Sequence, residues 1–275
     1  MRRREFLRAG LAASASAMAE RGAASQVSGG VGGVQPSGAN PARQYYELRK
    51  YLLRRDAQAE ATAKYLSEAL IPAMNRMGIG PVGAFSVDIG PETPMVYVLL
   101  PSTELETLVG AGLRLREDEA FLSAAQTFWN APDTSPAFER VESTLLIAFE
   151  KWPQLVLPPP TATKGKRMFQ MRRYESASDR DHVRKVEMFQ SGEFEAFERA
   201  GFWRVFFGDA LIGERLPQLT YMLSFPDLEQ MNALWDAFRN DAGWKKLQAD
   251  PRFSYDQLVV NITNLVLSPT AYSQV

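Results

Sequence analysis

The chain has 275 residues, of which 45% are hydrophobic and 23% are charged, with 31 basic and 32 acidic side chains and a formal net charge of −1. These are ordinary values for a globular protein, and the near-neutral charge gives no electrostatic reason to expect a nucleic acid partner. The absence of cysteine excludes disulfides and a thiolate nucleophile, and the single histidine, His182, excludes a multi-histidine metal centre, so no metal or cofactor is predicted.

The first nineteen residues have the order of an export signal. A basic start and a weakly apolar stretch lead to Ala17-Met18-Ala19, which fits a small-x-small cleavage site. The run Arg3-Arg4-Glu5-Phe6-Leu7-Arg8 is typical of a twin-arginine signal. We therefore expect residues 1–19 to be a signal peptide and the protein to be periplasmic, or otherwise exported through the twin-arginine route. The alternative is a disordered basic N-terminus.

Residues 20–43 contain Gly, Ala, Ser, Val and Pro without periodicity. Such a segment buries too little apolar surface to offset the entropy of ordering it, so a flexible tether is expected. No later run of 18 or more apolar residues occurs, and the mature chain is therefore expected to have no membrane span.

The rest of the chain contains the same unit twice. The opening segments 46–51 and 169–174 match at an offset of 123 residues, which holds without a gap as far as Gly78 and Gly201. Further on, the comparison pairs Tyr97 with Tyr221. The predicted organisation is a first domain over 44–151, a stiff Pro-rich linker over 152–166 and a second domain over 167–275.

Each unit is predicted to run strand, helix, strand, strand, helix, strand. The predicted strands cover 44–52, 81–87, 95–100 and 141–149 in the first unit, and 167–175, 203–208, 219–225 and 258–267 in the second. The first helix of each unit is predicted to begin near Asp56 or Asp179 and to end at Gly78 or Gly201.

The order βαββαβ is typical of the ferredoxin-like fold, in which both helices cover one face of an antiparallel sheet. The segment 95–100 is apolar on both sides, so the face without helices must also be covered. The predicted fold is therefore α+β, with two tandem ferredoxin-like domains packed as an intrachain dimeric α/β barrel. In the first strand, alternation places Tyr46 and Leu48 towards the helices, and Arg49 and Tyr51 towards the space between the sheets.

Several stretches carry a resemblance to a known family. They are the two opening segments, with Met188-Phe189-x-Ser191-Gly192-Glu193, Val205-Phe206-Phe207-Gly208 and Pro217-x-Leu219-Thr220-Tyr221-Met222-Leu223. Over roughly residues 44–273 the chain resembles tandem NIPSNAP domains of the exported bacterial type. The resemblance implies a ferredoxin-like dimeric α/β barrel. It implies no settled reaction and no agreed catalytic residue, so the catalytic residues stay unassigned.

Glu193 is the most informative candidate side chain. The offset places it at the position of Leu70, on an apolar helix stripe with Phe189 and Phe197. A carboxylate there must be paired or carry a raised pKa, and a pKa near neutrality suits a general acid or base. The alternative is that Ser191-Gly192 bends the helix and turns Glu193 to solvent or towards an arginine.

Arg172 and Tyr174 are candidates for ligand binding, because a guanidinium and a phenol together suit an anionic or carbonyl-bearing molecule. Tyr221 is a further candidate. Both halves carry the Arg-x-Tyr pair, as Arg49 and Tyr51 in the first, and the alternative is a shared architectural role. One retained site and one decayed site are favoured over two active copies.

Three more polar residues complete the candidate set. Asp209, at the end of a strand, either forms an acidic pocket with Glu193 or is a plain turn residue. Asn264, within an apolar strand, either binds a ligand or satisfies backbone groups. His182, in the charged first turn of a helix, is expected to face solvent rather than to hold a haem.

The candidates are compatible with three functions. The first is binding of a small, partly apolar molecule between the two sheets. The second is a cofactor-independent oxygenase, isomerase or lyase of the α/β-barrel type, which rests on analogy of fold. The third is a protein-interaction module with a solid barrel. Two oligomeric states are open: a single chain that completes one barrel alone, or a further homodimer of such chains.

Overall fold

Eight antiparallel strands close into one barrel in the computed structural model, which describes residues 41–54, 56–253 and 258–275. The expected signal peptide, 1–19, lies outside the described residues, as does the expected tether apart from residues 41–43.

The strands follow the repeat. Those of the first half are β1 (Tyr45–Leu52), β2 (Gly83–Ile89), β3 (Met95–Ser102) and β4 (Arg140–Ala148). Those of the second half are β5 (Met168–Glu175), β6 (Trp203–Ile212), β7 (Gln218–Phe225) and β8 (Asn261–Pro269). Around the barrel the order is β1-β3-β2-β8-β5-β7-β6-β4, so each half has the strand order of a ferredoxin-like sheet.

The two halves join at two seams. β2 pairs with β8 and β4 pairs with β6, both antiparallel, for example through Val87 with Leu267 and Leu146 with Ala210. Each seam covers a sheet edge that one half alone would leave unpaired. The predicted intrachain α/β barrel is therefore confirmed.

Helices cover the outside of each half. The first half has α1 (Asp56–Tyr65), α2 (Ile71–Arg76), α3 (Leu105–Arg114) and α4 (Glu119–Trp129). The second half has α5 (Asp179–Met188), α6 (Phe194–Ala200), α7 (Leu228–Asn240) and α8 (Ala242–Gln248). Among the described residues, no helix is long and apolar enough to cross a membrane.

The first helical segment of each half has the same irregularity. A π-helical turn joins α1 to α2 at Leu66–Leu70, and another joins α5 to α6 at Phe189–Glu193. Gly201 follows α6 with φ +87°, in the left-handed region that glycine adopts readily, so it ends the helix as predicted.

Apolar side chains fill the barrel interior. The interior cluster combines residues of both halves: Tyr46, Leu48, Phe85, Val87, Met95, Tyr97, Leu99, Leu146, Ala148, Phe169, Met171, Val205, Phe206, Met222, Leu265, Leu267 and Val275. Phe206 of the second half packs on Tyr46 of the first, with ring centroids 5.1 Å apart. The space between the sheets, where a ligand site was expected, is thus occupied by side chains along this cluster.

The predicted assignment of the strand faces is wrong. Tyr46 and Leu48 face the barrel interior, whereas Tyr51 packs under the helices of the first half and Tyr174 under those of the second. The interior is enclosed by strands on every side. Of the two alternating sets of side chains in each opening strand, the more apolar set therefore points into it. The repeated arginine lies on the outer face, where Arg49 pairs with Glu47.

The strand register also corrects one predicted match. Tyr97 lies in the barrel interior beside Thr220, and Tyr221 packs under the helices. The offset of 123 residues continues into β3 and β7, so Val98 corresponds to Tyr221 and Tyr97 to Thr220.

The segment predicted as a linker packs against the second half. Trp152 stacks on Phe194 with ring centroids 5.9 Å apart, and its Nε1–H donates to the Val205 carbonyl oxygen at 3.3 Å. The backbone N–H of Val156 donates to the same carbonyl at 2.9 Å. Residues 152–156 are therefore held on the barrel rather than extended away from it.

Candidate functional site

Three predicted site residues lie in one row across the second half. Arg172 of β5 is opposite Tyr221 of β7 on one side and opposite Asn264 of β8 on the other. Their row faces the helices, not the barrel interior, because Met171 and Arg173 alternate with Arg172 and point inward. The sheet thus places a cation, a phenol and an amide side by side beneath α5–α8.

Glu193 lies at the end of the second π-helical turn, over this row, and it is paired with a lysine. The Nζ of Lys185 donates to the Glu193 Oε2 at 2.7 Å, and the two side chains are 0% and 3% exposed. Gly192 leaves helical geometry, with φ 159° and ψ −12°, so the predicted bend is present. It does not turn Glu193 to solvent.

Burial shifts the pKa values of Glu193 and Lys185 towards each other. It raises the pKa of Glu193, because the carboxylate is removed from water, and nearby Lys185 and Arg172 offset only part of that effect. It lowers the pKa of Lys185, and the attraction of Glu193 offsets only part of that change. The pair is therefore poised to hold or exchange a proton inside an apolar site.

Aromatic rings surround both cations. The guanidinium carbon of Arg172 lies 4.6 Å from the Trp235 ring centroid and 5.1 Å from that of Tyr174. The Nζ of Lys185 lies 4.4 Å from the Phe189 ring centroid. Such contacts stabilise a cation by up to about 2 kcal/mol when it is desolvated.

The two tyrosines of the site contact each other directly. The hydroxyl oxygens of Tyr174 and Tyr221 are 2.8 Å apart, and their rings meet edge to face. Burial raises the pKa of Tyr174 well above its usual value, so its phenol stays protonated at neutral pH. Tyr174 therefore supplies a hydroxyl group, not a phenolate, to this site.

A short hydrogen-bonded chain fixes the outer rim. The Nε1–H of Trp235 donates to the Gln170 Oε1 at 2.7 Å, and the Gln170 Nε2 donates to the Asn264 Oδ1 at 2.9 Å. Trp235 is therefore held in place over Arg172. The predicted candidate Asn264 lies at the exposed edge of the arrangement.

The equivalent place in the first half has different chemistry. The positions of Lys185 and Glu193 are taken by Thr62 and Leu70, both fully buried. Arg49, at the position of Arg172, instead donates from Nε and Nη2 to the Glu47 carboxylate at 2.6 and 2.9 Å. Among the described residues, the second half combines a buried ion pair with the repeated arginine, and the first half has Thr62 and Leu70 in place of that pair.

Asp209 has a different partner from Glu193. Its Oδ1 lies 2.6 Å from the Nε2 of His182, whereas Glu193 is paired with Lys185. His182 is 7% exposed, so the prediction that it faces solvent is wrong. Its contact, Asp209, lies within β6, which continues to Ile212, and not at the end of a strand as predicted.

Sequence reasoning missed three residues of the site: Lys185, Gln170 and Trp235. Lys185 precedes Phe189 by four residues and therefore shares the helix stripe of Glu193, a spacing that would have revealed it. Gln170 stands where the first half has Glu47, a difference visible in the repeat alignment. Trp235 lies on α7, and no local pattern connects it to Arg172.

A metal centre is not formed within the described ranges. No group of three or more His, Asp or Glu side chains there is arranged to hold a metal ion. The chemistry that the site offers is that of a guanidinium, two phenols and a lysine–carboxylate pair in an apolar setting.

The two repeats match one family model. The model of the NIPSNAP family matches residues 46–150 and again residues 166–274, which together cover most of the chain. The chain belongs to the NIPSNAP family. The two matched segments of this NIPSNAP protein correspond to the two halves of its barrel. No curated protein sequence matches it closely enough to count as a relative.

Solved structures with the same architecture share little sequence with this NIPSNAP protein. A candidate monooxygenase from Fusobacterium nucleatum is 10% identical, with a TM-score of 0.53, over 83% of this chain and 93% of that one. A candidate monooxygenase from Lactobacillus acidophilus is 9% identical, with a TM-score of 0.54, over 82% and 94%. An anthrone oxidase-like protein is 11% identical, with a TM-score of 0.50, over 84% and 93%. At these identities the similarity shows the fold alone.

Proposed function

We propose that this NIPSNAP protein is exported and binds a small, partly apolar molecule with an anionic or carbonyl oxygen. The ligand would lie under the helices of the second half, beside Arg172, and not along the filled barrel axis. The observation that carries the proposal is the buried Lys185–Glu193 pair, which the first half replaces with Thr62 and Leu70.

The pair is costly as a purely structural element. Removing two charges from water costs several kcal/mol per ion, and an apolar pair of similar volume is often as stable or more so. The first half meets the same packing requirement with uncharged side chains. A charged pair kept in one half therefore supports a chemical role at that place.

The rim of the site offers a route for a ligand. Arg172 and Trp235 are partly exposed, and Asn264 beside them is exposed. The α7 helix packs Met231, Leu234 and Phe238 on the core of the second half, so we expect the Trp235 ring, and not the whole helix, to move for a ligand. A molecule that displaces the Trp235 ring would reach the guanidinium and the two phenols.

Retention of a ligand is expected to depend on Glu193. Protein purified from its own cell envelope is expected to carry a small molecule in native mass spectrometry. Glu193→Gln is expected to lose it, because Lys185, whose pKa burial already lowers, then lacks the carboxylate that favours its charged form and no longer offers a cation to the ligand. Circular dichroism would establish that the variant is folded.

The matched control is Glu47→Gln, which removes the carboxylate on the helix-covered face of the first half and gives that position the side chain found at Gln170. It is expected to retain the molecule. Equal retention by wild type and Glu193→Gln, or loss in both variants, would contradict a site confined to the second half.

An enzyme is the second candidate function. The opposite pKa shifts of Glu193 and Lys185 are those of a pair able to take a proton from, or give one to, a bound molecule. A cofactor-independent oxygenase, isomerase or lyase would use such a step, and two of the structurally similar proteins are described as candidate monooxygenases. Conversion of the retained molecule by the wild-type protein would favour this function, and its release unchanged would count against it.

Two further roles stay open beside these. The filled barrel is also compatible with a protein-interaction module, but such a role gives no reason for the buried ion pair. Formation of a homodimer stays a prediction, which the mass measured for the native protein would decide.

Export is proposed on the N-terminal sequence, which lies outside the described residues. Replacing Arg3 and Arg4 by lysine is expected to remove the protein from the periplasmic fraction and to leave it in the cytoplasm, because a twin-arginine signal depends on both guanidinium groups. Immunoblots of fractionated cells would measure this. An unchanged periplasmic amount would contradict the twin-arginine route.

A further inference from the structure

The α3 helix of the first half has apolar side chains on its exposed side. Leu105, Val109 and Leu113 follow one another at intervals of four residues, and we call them the apolar row of α3. The three residues are 37%, 60% and 63% exposed. The other side of the helix packs on the core of the first half through Leu108 and Ala111. The apolar row is therefore surface that the helix does not use within its own half.

The second half shows that this fold does not require the apolar row. The offset of 123 residues aligns α3 with α7, since both helices begin at corresponding leucines. At the positions of Val109 and Leu113, however, α7 has Asn232 and Asp236, which are exposed as well. The same helix of the other half thus presents polar side chains to water. A contiguous apolar row in that place indicates that α3 contacts a partner.

The first half also has an open place beside this row. Gly112 of α3 corresponds to Trp235 of α7, whose ring lies over Arg172 in the second half. Gly112 is exposed, and a Cβ atom there would meet no atom of another element within 4 Å. Since Gly112 follows Val109 by three residues, it lies next to the apolar row on the same side of α3. A side chain of another molecule can therefore pack against the helix backbone there.

The charges of α3 favour a second copy of this chain as that partner. Glu104 and Glu106 lie at the start of the helix, Arg114 and Arg116 lie at its end, and all four are exposed. This order complements the dipole of a single helix, and it also makes the helix complementary to an antiparallel copy of itself. The acidic start of each copy then lies beside the basic end of the other. A parallel pair would bring like charges together.

We propose that two copies of this chain associate through an antiparallel pair of α3 helices, about a two-fold axis that passes near Val109. Val109 of each copy then contacts Val109 of the other, and Leu105 of each lies opposite Leu113 of the other. Rows of side chains four residues apart are the ridges that interdigitate in the commonest packing of helices. The surface belongs to the first half, so the association is independent of the ligand site proposed for the second half.

The size of α3 determines how strong this association can be. The helix has 10 residues and is therefore about 15 Å long. A pair of such helices buries less than the roughly 1,200 Å² at which standard protein interfaces begin. The association is thus weak, with monomer and dimer in exchange, and the fraction of dimer rises with protein concentration over a range from about 1 μM to about 1 mM.

Sedimentation velocity over that range of concentrations tests the interface. The wild-type protein is expected to change from monomer to dimer as the concentration rises. Leu113→Asp, which gives α3 the side chain that α7 has at Asp236, is expected to raise the dissociation constant by about tenfold or more, because a carboxylate then enters the apolar contact. The matched control is Val183→Asp, at a side chain 64% exposed on α5, which is expected to associate like wild type.

Two charge variants test the antiparallel direction, and they carry the test if Leu113→Asp fails to fold. Glu104→Arg/Glu106→Arg makes both ends of α3 basic, and Arg114→Glu/Arg116→Glu makes both ends acidic. Each variant alone is expected to stay monomeric, whereas an equimolar mixture is expected to dimerise, because unlike ends then meet. A mixture that stays monomeric, or equal weakening by Leu113→Asp and Val183→Asp, would overturn the proposal. A wild-type monomer at every concentration would also overturn it, and would leave the apolar row to a different partner.

Discussion

Lys185→Met is expected to lower the free energy of unfolding by about 3–5 kcal/mol at about pH 8, because it leaves the buried Glu193 carboxylate without its cation. Urea unfolding followed by circular dichroism would measure the change. The double variant Lys185→Met/Glu193→Leu is expected to recover the loss, or to exceed wild type, since an apolar pair needs no desolvated charge. The first half, with Thr62 and Leu70 at these positions, already folds around an uncharged pair.

The loss in Lys185→Met is expected to depend on pH in one direction. Burial raises the folded-state pKa of Glu193 above its unfolded value of 4.5, and removing Lys185 removes an attraction that lowers it. Below the unfolded pKa the carboxyl is protonated in both states and the loss is smallest. It grows as the pH rises through the interval up to the folded-state pKa, because only the unfolded state then releases the proton readily.

The double variant serves as the control for this pH dependence, since it has no titrating group at the site. A loss in Lys185→Met that is the same at about pH 5 and about pH 8 would contradict a buried, ionisable Glu193. A double variant as unstable as the single one would show that the pair is needed for packing, and would remove the main support for a chemical role.

The repeat made most of the fold predictable. An offset of 123 residues fixes the order of strands in each half, and an apolar strand such as β3 requires cover on both faces. Closure of the two sheets follows from those two facts. The faces of β1 could not be assigned from alternation alone, because each of the two sets, Tyr46 with Leu48 and Arg49 with Tyr51, contains a large apolar ring. Only the closed barrel decides which set is enclosed.

The candidate site was predictable where the two halves differ. Glu193 stands out because Leu70 holds its place in the first half, and the same comparison would have identified Lys185 against Thr62. A lysine in a charged helix such as α5 is otherwise interpreted as exposed, which is why it was missed. The contact of Trp235 with Arg172 depends on how α7 crosses the sheet, and the sequence carries no local signal for that crossing.

Phe206→Ala is expected to destabilise both halves together, by about 3–5 kcal/mol, because the ring fills the shared barrel interior and its removal leaves a cavity. Phe206 belongs to the second half but packs on Tyr46 of the first, with ring centroids 5.1 Å apart. Loss of the ring therefore weakens contacts on both sides of the seam between β4 and β6. Urea unfolding is expected to show one transition, shifted as a whole to lower denaturant.

Hydrogen exchange measured by mass spectrometry resolves the two halves separately. Peptides of β1 and β3 in the first half are expected to lose protection in Phe206→Ala to the same extent as peptides of β5 and β7 in the second. The control is Val109→Ala, at a side chain 60% exposed on α3, which is expected to change stability by less than about 0.5 kcal/mol. Loss of protection confined to the second half would mean that the halves unfold independently. The barrel would then be two adjoining sheets and not one cooperative core.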